Sequence, residues 1–194
     1  MRGIERPTPI RLWGFLLTVA GGAQIGFGAV LDWGKVAFHG TTVNAIPTKG
    51  VDLAEGKAVL AAGVAVMVGI LALRLLRSHG SRRLVSIGII TFSLAAGALT
   101  LSVVARSDSV FEPVAIDAEA HHIFEQIGLP VDLARRRLLE VVQQEGIGVR
   151  YQWGLYLTLA GSAVGILGGV FDLAWVGRKR LEEEGVPSAP AGEA

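Results

Sequence analysis

The chain has 194 residues, of which 51% are hydrophobic and only 18% charged, and its mean hydropathy is +0.51. That balance is too apolar for a soluble or disordered chain, and 26 Gly with 7 Pro carry no three-residue period of the collagen kind. A net charge of +1 argues against a nucleic-acid partner, and the absence of Cys removes disulfides, zinc-thiolate sites, iron-sulfur clusters and Cys nucleophiles.

A helix needs about 20 mostly apolar residues to cross a hydrocarbon core of about 30 Å. Four runs meet that requirement, and they predict spans at 12–31, 57–76, 84–105 and 151–174. The second is the shortest between charges, because Lys57 and Arg74 leave only 58–73 uncharged; both side chains must snorkel for it to span. A cleaved signal peptide is the competing reading of the first run. That run is longer than a signal-peptide apolar core and no small-x-small site leads into a soluble domain, so the first helix is expected to be retained.

Basic residues set the orientation. Arg2, Arg6 and Arg11, the turn residues Arg74, Arg77, Arg82 and Arg83, and Arg178, Lys179 and Arg180 put ten basic against five acidic residues on one face. The other face carries eight basic against eleven acidic residues. Both termini are expected in the cytoplasm, with the chain in the plasma (inner) membrane as a multi-pass protein.

The tight turn makes the second and third helices an antiparallel hairpin. In the outer loop 32–56, the alternation of Val36, Phe38, Thr42 and Val43 allows one or two short strands. The outer loop 106–150 is too long to be structureless. Pro113 and Pro130 punctuate it and two amphipathic helices are predicted, over 117–127 and 131–144. The expected fold is therefore an all-α membrane protein. It has a cytoplasmic tail 1–11, a four-transmembrane-helix bundle 12–177 with an outer region of short helices and a strand or two, and a cytoplasmic tail 178–194.

Membrane helices pack through small residues that let backbones approach. Gly14, Thr18, Gly22 and Gly26 recur every four residues in the first helix, as do Gly161, Gly165 and Gly169 in the fourth; the third offers Ser93 and Gly97. The first and fourth helices are expected to be the most tightly packed. Their sequences also resemble each other: residues 13–32 and 153–172 are identical at ten of twenty positions at an offset of 140. Two origins fit, an inverted-topology repeat of the transporter kind or convergence of two glycine-rich spans on the same composition. Trp13, Trp33, Trp153 and Trp175 fall at span ends and read as interfacial anchors.

No span carries an ionisable group near its centre, which disfavours a proton relay or a charged ion pathway. Gln24 is the strongly polar mid-span side chain, expected to hydrogen-bond a neighbouring helix through Ser93, Thr91 or Thr158. Asp117, Glu119, His121, His122 and Glu125 have helical metal-ligand spacing, but no second Glu-x-x-His copy completes a di-metal set, so a solvated helix face is the default and no metal or cofactor is implied. Arg135 to Arg137 read as a solvated or headgroup-contacting patch. No catalytic triad order, phosphate loop, dinucleotide fingerprint or paired catalytic carboxylate is identifiable.

The layout of four spans, Trp33 in a first outer loop of mixed strand character, a tight basic turn and a glycine-rich last span resembles small four-helix integral membrane proteins of the actinobacterial type. In outline it is similar to the claudin-like superfamily. Claudins carry a Trp and a cysteine pair in that loop; here the cysteines are absent, so a junction-forming role does not follow. The expectation for function is a non-enzymatic accessory or structural subunit whose partners are the bilayer and other membrane subunits or a second copy. The alternatives are a small transporter, channel or lipid-binding protein and, third, an extracytoplasmic metal-dependent enzyme using His121 and His122. Reporter fusions at the two ends should both give the cytoplasmic signal; ends on opposite sides would remove the four-span reading.

Overall fold

The computed structural model describes residues 9–38, 46–76 and 78–183. In chain order they form α1 (Pro9–Val30), β1 (Asp32–Phe38), β2 (Ile46–Lys49), a single 3-10 turn (Gly50–Asp52), α2 (Ala54–Leu75), α3 (His79–Ala105), α4 (Ser107–Ile127), α5 (Val131–Glu145), β3 (Ile147–Tyr151) and α6 (Trp153–Glu183). Four of these helices, α1, α2, α3 and α6, are long and apolar enough to cross a membrane. They touch in the cyclic order α1, α2, α3, α6, with α1 against α6 the most extensive contact and α1 against α3 a slight one.

The first turns of α1, the later part of α6 and the α2–α3 turn share one end of the described molecule, since the Arg74 guanidinium lies over the Phe15 ring and that of Arg82 over Trp175. The sheet, α4 and α5 occupy the other end. There the structure departs from an all-α chain: β1 is the centre of a three-stranded sheet, antiparallel to β2 on one side and to β3 on the other. The third strand is absent from the sequence reading because Ile147 to Tyr151 is short and runs into the last span. Its pairing partner, β1, lies more than a hundred residues earlier in the chain.

Three further boundaries differ. Ser78 caps α3 by accepting from the Ser81 N–H at 3.2 Å, so Arg82 and Arg83 belong to the first turns of a helix and not to a loop. Pro113 sits inside α4, which starts at Ser107, instead of preceding a helix over 117–127. A proline there removes one backbone hydrogen bond, but Phe111, Ala115, Ile116 and Ala120 on the same helix are buried, and that burial holds the helix through it. Helix α6 continues to Glu183, past the predicted end of the last span at 174. The readings placed on Arg2, Arg6, Thr42, Val43, Arg77 and the tail from 184 onward lie outside the described residues.

The α1–α6 contact has a definite register. Gly14 faces Asp172, Thr18 faces Gly168, Gly21 faces Gly165, Ile25 faces Gly161, Gly28 faces Thr158 and Asp32 faces Gly154. These positions alternate steps of three and four along each helix, the pattern that keeps one face against a neighbour in a left-handed pair. A methyl group on Gly21 would stand 2.6 Å from Gly165 Cα, and one on Gly161 2.8 Å from Ile25 N. Backbone, not a movable side chain, blocks the space. Helix α3 packs on an adjoining face of α6, where Ser93 meets Gly165, Gly97 meets Ser162, and Ile89 and Ile90 meet Gly169.

Gly21→Leu should therefore push α1 from α6 and destabilise the protein by at least about 2 kcal/mol, the order expected of overpacking. Gly88→Leu, at a helical position with no atom within 4 Å of the added carbon, should be neutral in the same thermal unfolding measurement in detergent. Equal stability of the two variants would show that the glycine face does not hold the helices together.

Candidate functional site

Because α1 turns one face to α6, a neighbouring stripe of small and apolar residues is left towards α2. Phe15, Val19, Gly22, Ala23, Gly26, Phe27 and Val30 line it from α1, and Leu60, Gly63, Val64, Met67, Val68, Ile70 and Leu71 from α2; Arg74 closes one end. The helices meet at Gly63, whose added methyl would lie 2.9 Å from Gly26 N, and at Gly22, whose methyl would lie 2.9 Å from Val66 Cγ1. Above those contacts the surface is hollow: nothing lies within 4 Å of the position a Gly26 methyl would take. The result is an outward-opening apolar groove of about 610 Å³ with exposed Phe27, Val64, Val68 and Leu71 on its rims. That size lies within the range of small-molecule sites, roughly 300–1,000 Å³.

At its arginine end the groove continues into a smaller pocket of about 170 Å³, sharing Phe15, Ile70 and Arg74 with it and adding Leu12, Thr18, Leu73, Arg82 and Asp172. The Arg74 guanidinium carbon is 4.4 Å from the Phe15 ring centroid and that of Arg82 is 4.7 Å from the Trp175 ring. A guanidinium held over a ring face can still direct N–H groups to a ligand, and of the two Arg74 is the exposed one. Thr18 Oγ1 lies 2.8 Å from the Gly14 carbonyl and 3.4 Å from Asp172 Oδ2, which ties the carboxylate to α1. An apolar trough ending in fixed cationic groups suits an amphiphile with an anionic head.

The predicted packing residues divide between faces. Gly14, Thr18, Gly161 and Gly165 form the α1–α6 contact; Gly22 and Gly26 face α2 and floor the groove; Ser93 and Gly97 face α6, and Gly169 meets Ile89 and Ile90 of α3. Gly21, Gly28, Gly154 and Gly168, among the tightest positions, were missed because steps of four alone were followed where the contact alternates three and four. That alternation was present in the sequence as 14, 18, 21, 25, 28.

Two of the four anchors are corrected. Trp33 is fully buried, its Nε1 donating to the Gly28 carbonyl at 2.8 Å, and Trp175 is 8% exposed beneath Arg82; each fills an interior gap. Trp13 and Trp153 are 60% and 83% exposed. Gln24 does not make the expected hydrogen bond: Gln24 Oε1 and Ser93 Oγ are both buried without a partner, while Thr91 and Thr158 donate to the carbonyls of Ile87 and Gly154 four residues back. A hydroxyl on a helix satisfies itself this way without reaching a neighbour.

Among the described residues no three His, Asp or Glu gather as a metal site. Asp117 pairs with Arg135 of α5, His121 Nδ1 donates to the Asp117 carbonyl at 2.8 Å, and His122 Nε2 accepts from Gln126 at 2.9 Å. Glu119 is buried at 7% exposure while Glu125 is exposed. Arg135 to Arg137 are all exposed, Arg137 lying 3.4 Å from Glu140. No protein-family profile matches the chain, and no curated protein matches it in sequence.

The Arg74–Phe15 stack is open to a double-mutant cycle. Phe15→Leu and Arg74→Gln should couple by about 0.5–1 kcal/mol in unfolding free energy, as an exposed cation–π pair does. Strict additivity would show that the guanidinium is not held over the ring.

Proposed function

We propose that this is a multi-pass plasma (inner) membrane protein, α1, α2, α3 and α6 crossing the bilayer as a four-helix bundle with both termini cytoplasmic, and that it serves as a non-enzymatic accessory or structural subunit. The arginine-rich end then faces the cytoplasm. Large apolar side chains around the helices, among them Phe27, Leu71, Leu84, Leu94, Leu101 and Leu167, are exposed, and lipid is the solvent that accommodates them. The similarity in layout to small four-helix bacterial membrane proteins agrees with this reading.

One observation supports the subunit role above the others. The outer layer is anchored to the helices by the buried residues Trp33, Val36, Phe111, Ala115 and Leu155, yet it holds out Phe124, Ile127 and Leu133 at the α4–α5 tip with 50%, 73% and 48% exposure. Apolar side chains projected from a fixed platform beside Arg135 to Arg137 form a surface for a partner protein. Blue-native electrophoresis and mild-detergent pull-down should give a defined complex that Ile127→Lys disperses while the chain stays folded in the membrane. A strictly monomeric protein with no co-purifying subunit would end the subunit reading. A second reading, lipid binding, is favoured by the α1–α2 groove.

A further inference from the structure

We infer that the α1–α2 groove binds one anionic glycerophospholipid of the cytoplasmic leaflet, an acyl chain lying along Gly22, Gly26 and Gly63 and the phosphate meeting the Arg74 guanidinium. This deepens the lipid-binding reading and rests on the membrane-spanning one. Three features select this occupant over a protein helix or a second copy of the chain.

The first is charge. The groove is apolar along its length and its cation, Arg74, stands at one end only; the adjoining pocket adds Arg82 and Asp172, of opposite sign, and Arg83 is exposed one residue further along α3. An amphiphile with one charged end matches that polarity; an apolar helix offers nothing to the exposed Arg74. The second is length. From Phe15 to Val30 the α1 wall rises about 22 Å at 1.5 Å per residue, against about 15 Å for one leaflet of the hydrocarbon core, so a chain whose head sits at Arg74 fits within it from end to end.

The third is pre-organisation. Arg74 is stacked on Phe15 and its in-plane N–H groups are available to a phosphate, whose oxygens accept two parallel hydrogen bonds from a guanidinium. Met67 on the α2 wall supplies a flexible, polarisable side chain that adapts to a disordered tail. Phosphatidylcholine shares the phosphate but carries a compensating ammonium, so the basic surround favours phosphatidylglycerol over it.

Native mass spectrometry of the detergent-purified chain, titrated with phosphatidylglycerol or phosphatidylcholine, tests the inference. One phosphatidylglycerol per chain should be retained in preference to phosphatidylcholine. Arg74→Gln should cut that preference about fivefold. Gly26→Leu should remove retention of both lipids by filling the hollow, while Gly88→Leu, the same change on α3 away from the groove, should leave it intact. Should Gly26→Leu disturb the helical circular dichroism, Val64→Trp on the rim takes its place.

Lipid retention unchanged by both groove-filling variants, or a preference indifferent to Arg74→Gln, overturns the proposal. So does a lipid-free dimer of the parent chain that Gly26→Leu converts to monomer, which would make the groove a contact between copies. Alkaline carbonate extraction separates the two levels of the argument. Release of the parent protein into the supernatant would defeat the membrane-spanning reading itself, whereas a membrane-retained protein without lipid preference would defeat the groove site alone.

Discussion

The close approach of α1 and α6 is the constraint on which the other parts depend. In a bilayer, apolar side chains gain little by leaving lipid for a neighbouring helix, so association relies on van der Waals contact and is strongest where backbones touch. Gly14, Gly21 and Gly28 on one helix and Gly154, Gly161 and Gly168 on the other provide that contact. The hydroxyls of Thr18 and Thr158 fall within it and are satisfied by the carbonyls of Gly14 and Gly154, so they leave no buried donor to weaken the face. With α6 fixed on α1 and α3 packed on an adjoining face of α6, the remaining helix, α2, closes the ring against α1 and α3.

This register also accounts for the internal sequence similarity. A shift of 140 residues carries the contact face of α1, positions 14, 18, 21, 25, 28 and 32, onto the contact face of α6, positions 154, 158, 161, 165, 168 and 172, and all but the Ile25 and Gly165 pair are identical. Two helices packed antiparallel are related by a local two-fold axis, and the same steric demand acts on both. On the face turned to α2 the likeness is weaker: Gly22 and Gly26 correspond to Ser162 and Ile166, while Ala23 and Val30 recur as Ala163 and Val170. Packing against a symmetric partner explains the identities on the shared face, which are half of the ten, whereas descent of two transporter halves would extend the likeness to α2 and α3, where none is found. The groove exists because α1 is small on a second face and α6 is not.

What the sequence made legible follows from the range of each interaction. The four long apolar helices, the paired short helices beyond the third and the pre-eminence of the α1–α6 contact were readable, since length, periodicity and glycine content are local properties. Helix α3 beginning at His79 was obscured by its arginines, which suit a loop by charge but a capped helix by Ser78. Strand β3 and the burial of Trp33 were not readable, because both depend on partners elsewhere in the chain: β1 for the strand, and for the indole Gly50, seventeen residues on. For the groove, glycine positions were visible but their division between faces was not. Whether Gly26 packs or leaves a hollow turns on which side of α1 meets α6, and that is decided by the alternation of three and four.

The helical contact does not stop at the ends of the helices. β1 follows α1 directly, β3 leads directly into α6, and the two strands pair antiparallel from Gly34 with Tyr151 to Phe38 with Ile147. One antiparallel pairing therefore runs from glycine faces into a strand ladder. Its junction is held by the Gln152 N–H donating to the Trp33 carbonyl at 2.9 Å and by the Trp33 indole donating to Gly28. A one-residue slip of strands reverses every side chain, so the ladder fixes the height of α1 against α6 more sharply than glycine contacts alone would. The outer layer then works as a register lock for the helices, and the glycine face in turn fixes the spacing at which β1 and β3 begin. Phe111 of α4 lies on Gly34 of β1 and the Trp33 indole is bonded to Gly28 of α1, so the outer layer is joined to the helix that carries the groove on its other side.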